Sequence, residues 1–154
     1  MRRILAIAAL CWSILASASC QQRSPLEPNA AGTLDQFLQA LRQRGLSVSV
    51  AGEIPPQVNR FFSVPAHDVH VNDSRISAFE YASAEAAAAE ADVVSSDGQP
   101  SPTSRITWVS TPRFYRKNRL IVLYVGCSPE VVQALDGTMG PAFVIGRTPC
   151  EFVR

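Results

Sequence analysis

The sequence has almost no excess of charge of either sign. Its 154 residues include 14 lysines and arginines against 13 aspartates and glutamates, which gives a formal net charge of +1. A protein that binds nucleic acid through phosphates needs a basic surface, so we expect no nucleic-acid partner. With 47% hydrophobic and 18% charged residues the chain can form a core, and its length suits one domain.

The sequence also lacks the short motifs that mark common catalytic sites. HExxH, GxSxG, the P-loop and GxGxxG are missing, and no CxxC pair indicates redox catalysis or a zinc site. We therefore expect a non-enzymatic protein with no cofactor and no bound metal.

One cluster contains metal-type ligands, namely His67, Asp68, His70 and Asp73. In an extended strand Asp68 and His70 point one way and His67 the other. The cluster therefore favours a polar surface hairpin, and a metal-dependent hydrolase at His67 and His70 is the weaker alternative.

The N-terminus carries a pattern typical of a signal peptide. Arg2 and Arg3 come first, followed by an apolar run over 4–15 and small residues up to Cys20. The apolar run is shorter than the roughly 20 residues that span a bilayer as a helix. We therefore expect an exported protein with residues 1–19 as its signal.

Two cleavage chemistries fit this segment. Residues 16–18, Ala-Ser-Ala, suit an ordinary signal peptidase that cuts after Ala18. Residues 17–20, Ser-Ala-Ser-Cys, resemble a bacterial lipobox, in which the thiol of Cys20 is acylated, although Ser17 stands where leucine is usual.

Cysteine is scarce, and its count helps to separate the two chemistries. Of the four cysteines, Cys11 leaves with the signal. Acylation of Cys20 leaves Cys127 and Cys150 as one pair, whereas an unmodified Cys20 leaves an odd thiol in an oxidising compartment. A Cys127–Cys150 bridge closes a loop of about 24 residues, worth roughly 3 kcal/mol in the chain-entropy model. We expect lipidation at Cys20 and a disulfide between the other two.

The stretch after Cys20 favours a flexible tether. Pro25 and Pro28 interrupt a polar segment, so we assign 20–31 to the tether and 32–154 to a single domain. The expected location is the cell envelope, on the extracytoplasmic side. The expected partners are the membrane, through the N-terminal lipid, and an envelope protein or anionic headgroups.

The domain alternates between helical and strand patterns, which predicts an α+β fold. Thr33 and Gln36 form a capping box before an amphipathic helix that ends near Gly45. Further helices are predicted over 84–94 and 128–136, the last ending at Gly137. Strands are predicted over 46–50, 69–71, 76–81, 106–109, 113–116 and 119–125, with a turn at Asn72-Asp73, an interruption at Pro112 and a turn at Lys117-Asn118. The apolar run within 119–125 indicates a central strand buried on both faces. We expect two layers, an antiparallel sheet with helices packed on one face.

Four basic residues surround one predicted turn, namely Arg113, Arg116, Lys117 and Arg119. They form an interaction patch for anionic headgroups or an acidic partner, or they keep a hydrophobic hairpin soluble and free from edge pairing.

Three aromatic residues are also open to a structural and a functional interpretation. Phe61 and Phe62 lie in a proline-rich stretch, and Trp108 lies in a predicted strand. These rings pack in the core, or they line an apolar pocket of a small-ligand-binding module.

Three further stretches carry a likeness to other proteins. They read FLQALR at 37–42 with Gly45-Leu46, FSVP at 62–65, and FYRKNRLIVLYVG at 114–126. They resemble a family of small uncharacterised bacterial exported proteins, often lipoproteins. The likeness covers residues 33–137 and implies a compact exported domain with no known activity and no assigned functional residues.

Overall fold

The computed structural model describes residues 32–100 and 105–150. Its elements are α1 (Leu34–Gln43), β1 (Val48–Ile54), β2 (Ala66–Val71), β3 (Ser74–Glu80), α2 (Ala84–Ala91), β4 (Pro112–Lys117), β5 (Leu120–Val125), α3 (Pro129–Met139) and β6 (Val144–Ile145). The predicted signal, the tether and Cys20 lie outside the described residues. Within the described ranges, no helix has the length and apolar character needed to cross a bilayer.

The six strands form one sheet in the order β1-β2-β3-β5-β4-β6, with every neighbouring pair antiparallel. The turns of its two hairpins contain Asn72 at φ 51° and Asn118 at φ 50°. Asparagine adopts this left-handed conformation more readily than most residues, and Asn72 Oδ1 accepts a hydrogen bond from the Ser47 N–H at 2.9 Å. The predicted α+β fold with an antiparallel sheet is confirmed.

Helices α1 and α3 cover one face of the sheet. Phe37 and Leu41 from α1 and Leu135 from α3 meet Val69 and Val122 of the strands, and we call this cluster the first core. The sheet and these two helices form the two layers that the sequence predicted.

The opposite face is covered by α2 and by loops. Phe62, Phe79, Ala87, Phe114 and Ile121 form this second core. Strand β5 requires both coverings because its side chains alternate between the faces and all but the last are buried. The structure therefore differs from a strict two-layer arrangement, since α2 lies across the sheet from α1 and α3.

Helix α1 begins and ends where the sequence predicted. The Gln36 N–H donates to Thr33 Oγ1 at 3.3 Å, and the Thr33 N–H donates to Gln36 Oε1 at 3.2 Å. Gly45 follows the helix at φ 85°, a conformation that glycine adopts without steric cost.

Helix α3 begins as predicted, with Ser128 as cap, but Gly137 does not end it. The helix continues to Met139, and Gly140 follows at φ 89°. Thr138 and Met139 are buried. Their packing outweighs the low helix propensity of Gly137.

The strand predicted over 106–109 is wrong. Residues 105–111 contain no strand. The Ile106 N–H donates to Gln99 Oε1 at 2.7 Å, and Gln99 Nε2 donates to the Ile106 carbonyl at 3.1 Å. One amide side chain thus satisfies the backbone groups that a neighbouring strand would otherwise bind.

Several strand boundaries also differ from the prediction, since β1 begins at 48 and not 46, β2 at 66 and not 69, and β3 at 74 and not 76. Pro112 begins β4 instead of interrupting it, because the first residue of a strand tolerates a missing N–H. The following turn is at Asn118-Arg119, one residue later than predicted. Strand β1 extends to Ile54, and as the edge strand it is mostly exposed.

Candidate functional site

Cys127 and Cys150 form the predicted disulfide bond. Their Cα atoms lie 5.7 Å apart, within the range of about 4.4–6.8 Å that disulfides favour. Beside it, the Thr111 hydroxyl donates to the Thr148 carbonyl at 2.5 Å. The C-terminal segment is therefore fastened against the start of β4.

The four basic residues of the predicted patch do not share one surface. Arg113 and Lys117 lie on the first-core face of β4, and Arg116 lies on the other face. Arg113 Nη1 donates to the Gly126 carbonyl at 2.7 Å, and Lys117 Nζ donates to the Thr138 carbonyl at 2.8 Å. Burial lowers the pKa of Lys117.

Arg119, the fourth member, pairs within the domain. Its Nη2 lies 2.7 Å from Glu80 Oε1, which also accepts from the Leu34 N–H at 3.4 Å. Three of the four basic side chains thus bind groups of this chain, and contact of the patch with a partner stays a prediction.

Strand β2 separates the predicted metal-type ligands. His67 lies on the first-core face, with Nδ1 3.8 Å from Glu53 Oε2, whereas Asp68 and His70 lie on the second-core face. Among the described residues, no three His, Cys, Asp or Glu side chains lie close enough together to hold a metal ion. The placement agrees with a polar hairpin.

Asp68 instead forms a paired contact with Arg75 on the neighbouring strand. Arg75 Nε donates to Asp68 Oδ1 at 2.6 Å, and Nη2 donates to Oδ2 at 2.5 Å. The hydrogen bonds from Arg75 hold the pKa of Asp68 below its usual value. This pair spans the hairpin and accounts for a carboxylate that is only 8% exposed.

A groove lies beside the second core, between the loop after β1 and the segment before β4. It has a volume of about 560 Å³. Its apolar lining consists of Ile54, Val58, Phe61, Pro100 and Ile106. Grooves of roughly 300–1,000 Å³ with mostly apolar walls are typical of small-molecule sites.

The three predicted aromatic residues divide between the core and this groove. Phe62 is 5% exposed and meets Phe79 edge to face at 4.8 Å between ring centroids. Phe61 lines the groove and stacks on Trp108 at 5.6 Å, and Trp108 meets Phe114 edge to face at 6.1 Å. Phe62 is therefore a core residue, whereas Phe61 is a groove residue supported by Trp108.

Hydrogen bonds hold both walls of the groove. The Asn59 N–H donates to the Pro55 carbonyl at 3.0 Å, and Asn59 Oδ1 accepts from the Phe61 N–H at 3.3 Å. The paired bonds between Gln99 and Ile106 hold the opposite wall. The groove is thus built by defined backbone contacts on each side.

Two arginines complete the lining, and sequence reasoning missed both. Arg60 and Arg105 are exposed, and none of the described lining residues is acidic. They are far apart in the chain and belong to no motif. The one signal in the sequence was the neighbouring Phe61, an aromatic residue in a proline-rich loop.

No family model, curated protein or solved structure matches this chain. The resemblance to small bacterial exported proteins stays a prediction that rests on residues 37–46, 62–65 and 114–126.

Proposed function

We propose that this chain is an exported protein of the cell envelope, tethered to a membrane by a lipid on Cys20, and that its domain binds another component there without catalysing a reaction. The Cys127–Cys150 disulfide carries the proposal. Disulfides persist in oxidising compartments outside the cytoplasm. Three cysteines follow the predicted apolar run of the signal. The disulfide uses Cys127 and Cys150, so Cys20 is the one left for acylation.

The composition of the groove supports a binding role. Its described lining contains no Ser, Cys, His, Asp or Glu, the residue types that most often act as nucleophile or general base. What it offers is apolar surface, an amide and two guanidinium groups. Such a lining holds and orients a partner more readily than it transfers a proton.

Acyl labelling tests the tether. Cells fed an alkyne-labelled fatty acid should produce labelled protein in the membrane fraction, and Cys20→Ser should abolish the label and release the protein. Cys11→Ser, in the predicted signal, is the matched control and should leave the label unchanged. A mature N-terminus at Ser19 without added lipid mass would contradict the tether.

The groove beside Phe61 favours a second function, the binding of a small apolar ligand. Nile red, a neutral apolar dye, should fluoresce more strongly with the wild-type protein. Phe61→Ala should weaken dye binding about tenfold, the effect of losing roughly 1.4 kcal/mol of aromatic contact. Phe143→Ala, which truncates a 38% exposed phenylalanine outside the groove, is the control. Equal effects of the two substitutions would remove this function.

A further inference from the structure

The groove combines an open apolar floor with two positively charged arginine side chains, Arg60 and Arg105. Val58 lies at its edge and is 74% exposed. Ile54 and Phe61 continue the apolar surface inward and pack against the second core, and Ile106 also lines the groove. A ligand that covers this floor would remove apolar area from water on both partners.

Arg60 and Arg105 come from opposite walls of the groove. Arg60 Nε donates to the Gln57 carbonyl at 3.5 Å, a long bond at an exposed site. Arg105 also attracts Asp97, although the hydrogen bond from Ser95 is the largest cause of the lowered pKa of that carboxyl. Asp97 therefore offsets part of the charge of Arg105, whereas no acidic residue is among the described residues that line the groove.

We infer that the groove binds a single-chain anionic amphiphile, an alkyl carboxylate, with its chain on the apolar floor and its carboxylate between Arg60 and Arg105. This inference rests on the ligand-binding function proposed above and names its ligand class. A planar guanidinium binds a carboxylate through two parallel hydrogen bonds, which a neutral alcohol cannot match. The volume of about 560 Å³ suits one alkyl chain.

Three probes of equal chain length test the inference. Decanoate, 1-decanol and decyltrimethylammonium are titrated calorimetrically, below their micelle concentrations, into the secreted mature protein carrying Cys20→Ser, which avoids detergent. Decanoate should bind about tenfold more tightly than 1-decanol, the effect of two exposed charges worth roughly 0.7 kcal/mol each. Decyltrimethylammonium should bind more weakly than either.

Paired arginine variants locate the effect. Arg60→Gln with Arg105→Gln should remove the preference for decanoate while retaining the binding of 1-decanol. The control pair, Arg42→Gln with Arg44→Gln, removes the same net charge at the end of α1, on the other face of the sheet. It should keep the full preference for decanoate, and thermal unfolding checks that all variants fold.

The other outcomes overturn the inference in distinguishable ways. Equal binding of decanoate and 1-decanol, unaltered by the groove arginines, would reject the anionic class and keep the ligand-binding function. Failure of all probes and of Nile red would reject both. Binding to anionic vesicles without binding of monomeric decanoate would assign the arginines to contact with a membrane surface, and the inference would fail.

Discussion

At the residue scale, single polar contacts decide which side chains are available to a partner. Arg113 and Arg119, expected at an interaction patch, are held by a carbonyl and by Glu80. Asp68, expected as one of several metal-type ligands, is held by Arg75. Arg60, which no sequence pattern marked, lines the groove. Chemical type alone does not reveal these assignments because each depends on the neighbouring strand or loop.

The Asp68–Arg75 pair predicts a pH-dependent contribution to stability. The folded-state pKa of Asp68 is lowered, so its contribution is present above the unfolded value of about 3.9 and is lost as pH falls through the folded value. Asp68→Asn should reduce the free energy of unfolding by about 1 kcal/mol at neutral pH, because Arg75 is largely exposed and solvent screens the pair.

Urea unfolding of wild type and Asp68→Asn across pH checks this prediction. The difference between the two should shrink to nothing at strongly acidic pH. Asp73→Asn, in the exposed turn of the same hairpin, is the control and should show no comparable pH dependence. A difference that stays constant with pH would contradict the assigned role of the carboxylate.

At the element scale, local chemistry sets where α1 and α3 begin, whereas burial extends α3 beyond its predicted end. The capping box of Thr33 begins α1, and Ser128 with Pro129 begins α3. Yet α3 passes through Gly137 because the residues after it are buried. The edge strand β1 carries a register shift between Val50 and Gly52. Such bulges twist an edge strand and oppose pairing with other chains.

Loss of the α1 cap gives a prediction at this scale. Thr33→Ala removes the acceptor for the Gln36 N–H, so the free energy of unfolding should fall by about 1 kcal/mol. Thr33→Ser keeps a hydroxyl at the same position and should remain close to wild type. Urea unfolding followed by far-UV circular dichroism measures both, and equal stability of Thr33→Ala and wild type would contradict the capping role.

At the scale of the whole molecule, one sheet separates two cores. The disulfide joins Cys127, which follows β5, to Cys150 in the C-terminal segment. The first core lies under α1 and α3, and the second lies under α2 and the loops that form the groove. Residues 146–150 lie in neither a helix nor a strand, and the bond at Cys150 holds this segment against the rest of the domain. Loss of the disulfide should therefore lower the stability of the whole domain.

The disulfide gives the prediction for the whole domain. Cys127→Ser with Cys150→Ser should lower the free energy of unfolding by about 3 kcal/mol, because the unfolded chain gains the entropy that the closed loop removes. Dithiothreitol should lower the melting temperature of wild type and leave the double variant unchanged. Cys20→Ser, which keeps the bond, is the control. A double variant as stable as wild type would contradict this role.

Several features followed from sequence because they depend on neighbours in the chain. The cap of α1, the tight turn at Asn72-Asp73 and the doubly buried β5 arise from a few adjacent residues and their periodicity. The pairing of Cys127 with Cys150 followed from a count of thiols. Local hydrogen bonds and hydrophobic alternation carry this information, so the fold class could be predicted from the sequence alone.

Other features required contacts between distant parts of the chain. Three features were not predictable: the side of the sheet on which α2 packs, the absence of a strand at 106–109, and the groove that residues 54–61 form with Pro100, Arg105 and Ile106. Each depends on competition for burial and for hydrogen-bond partners among segments that meet only after folding. The local sequence therefore specified the elements, while long-range packing placed the arginines and Phe61 around one apolar groove.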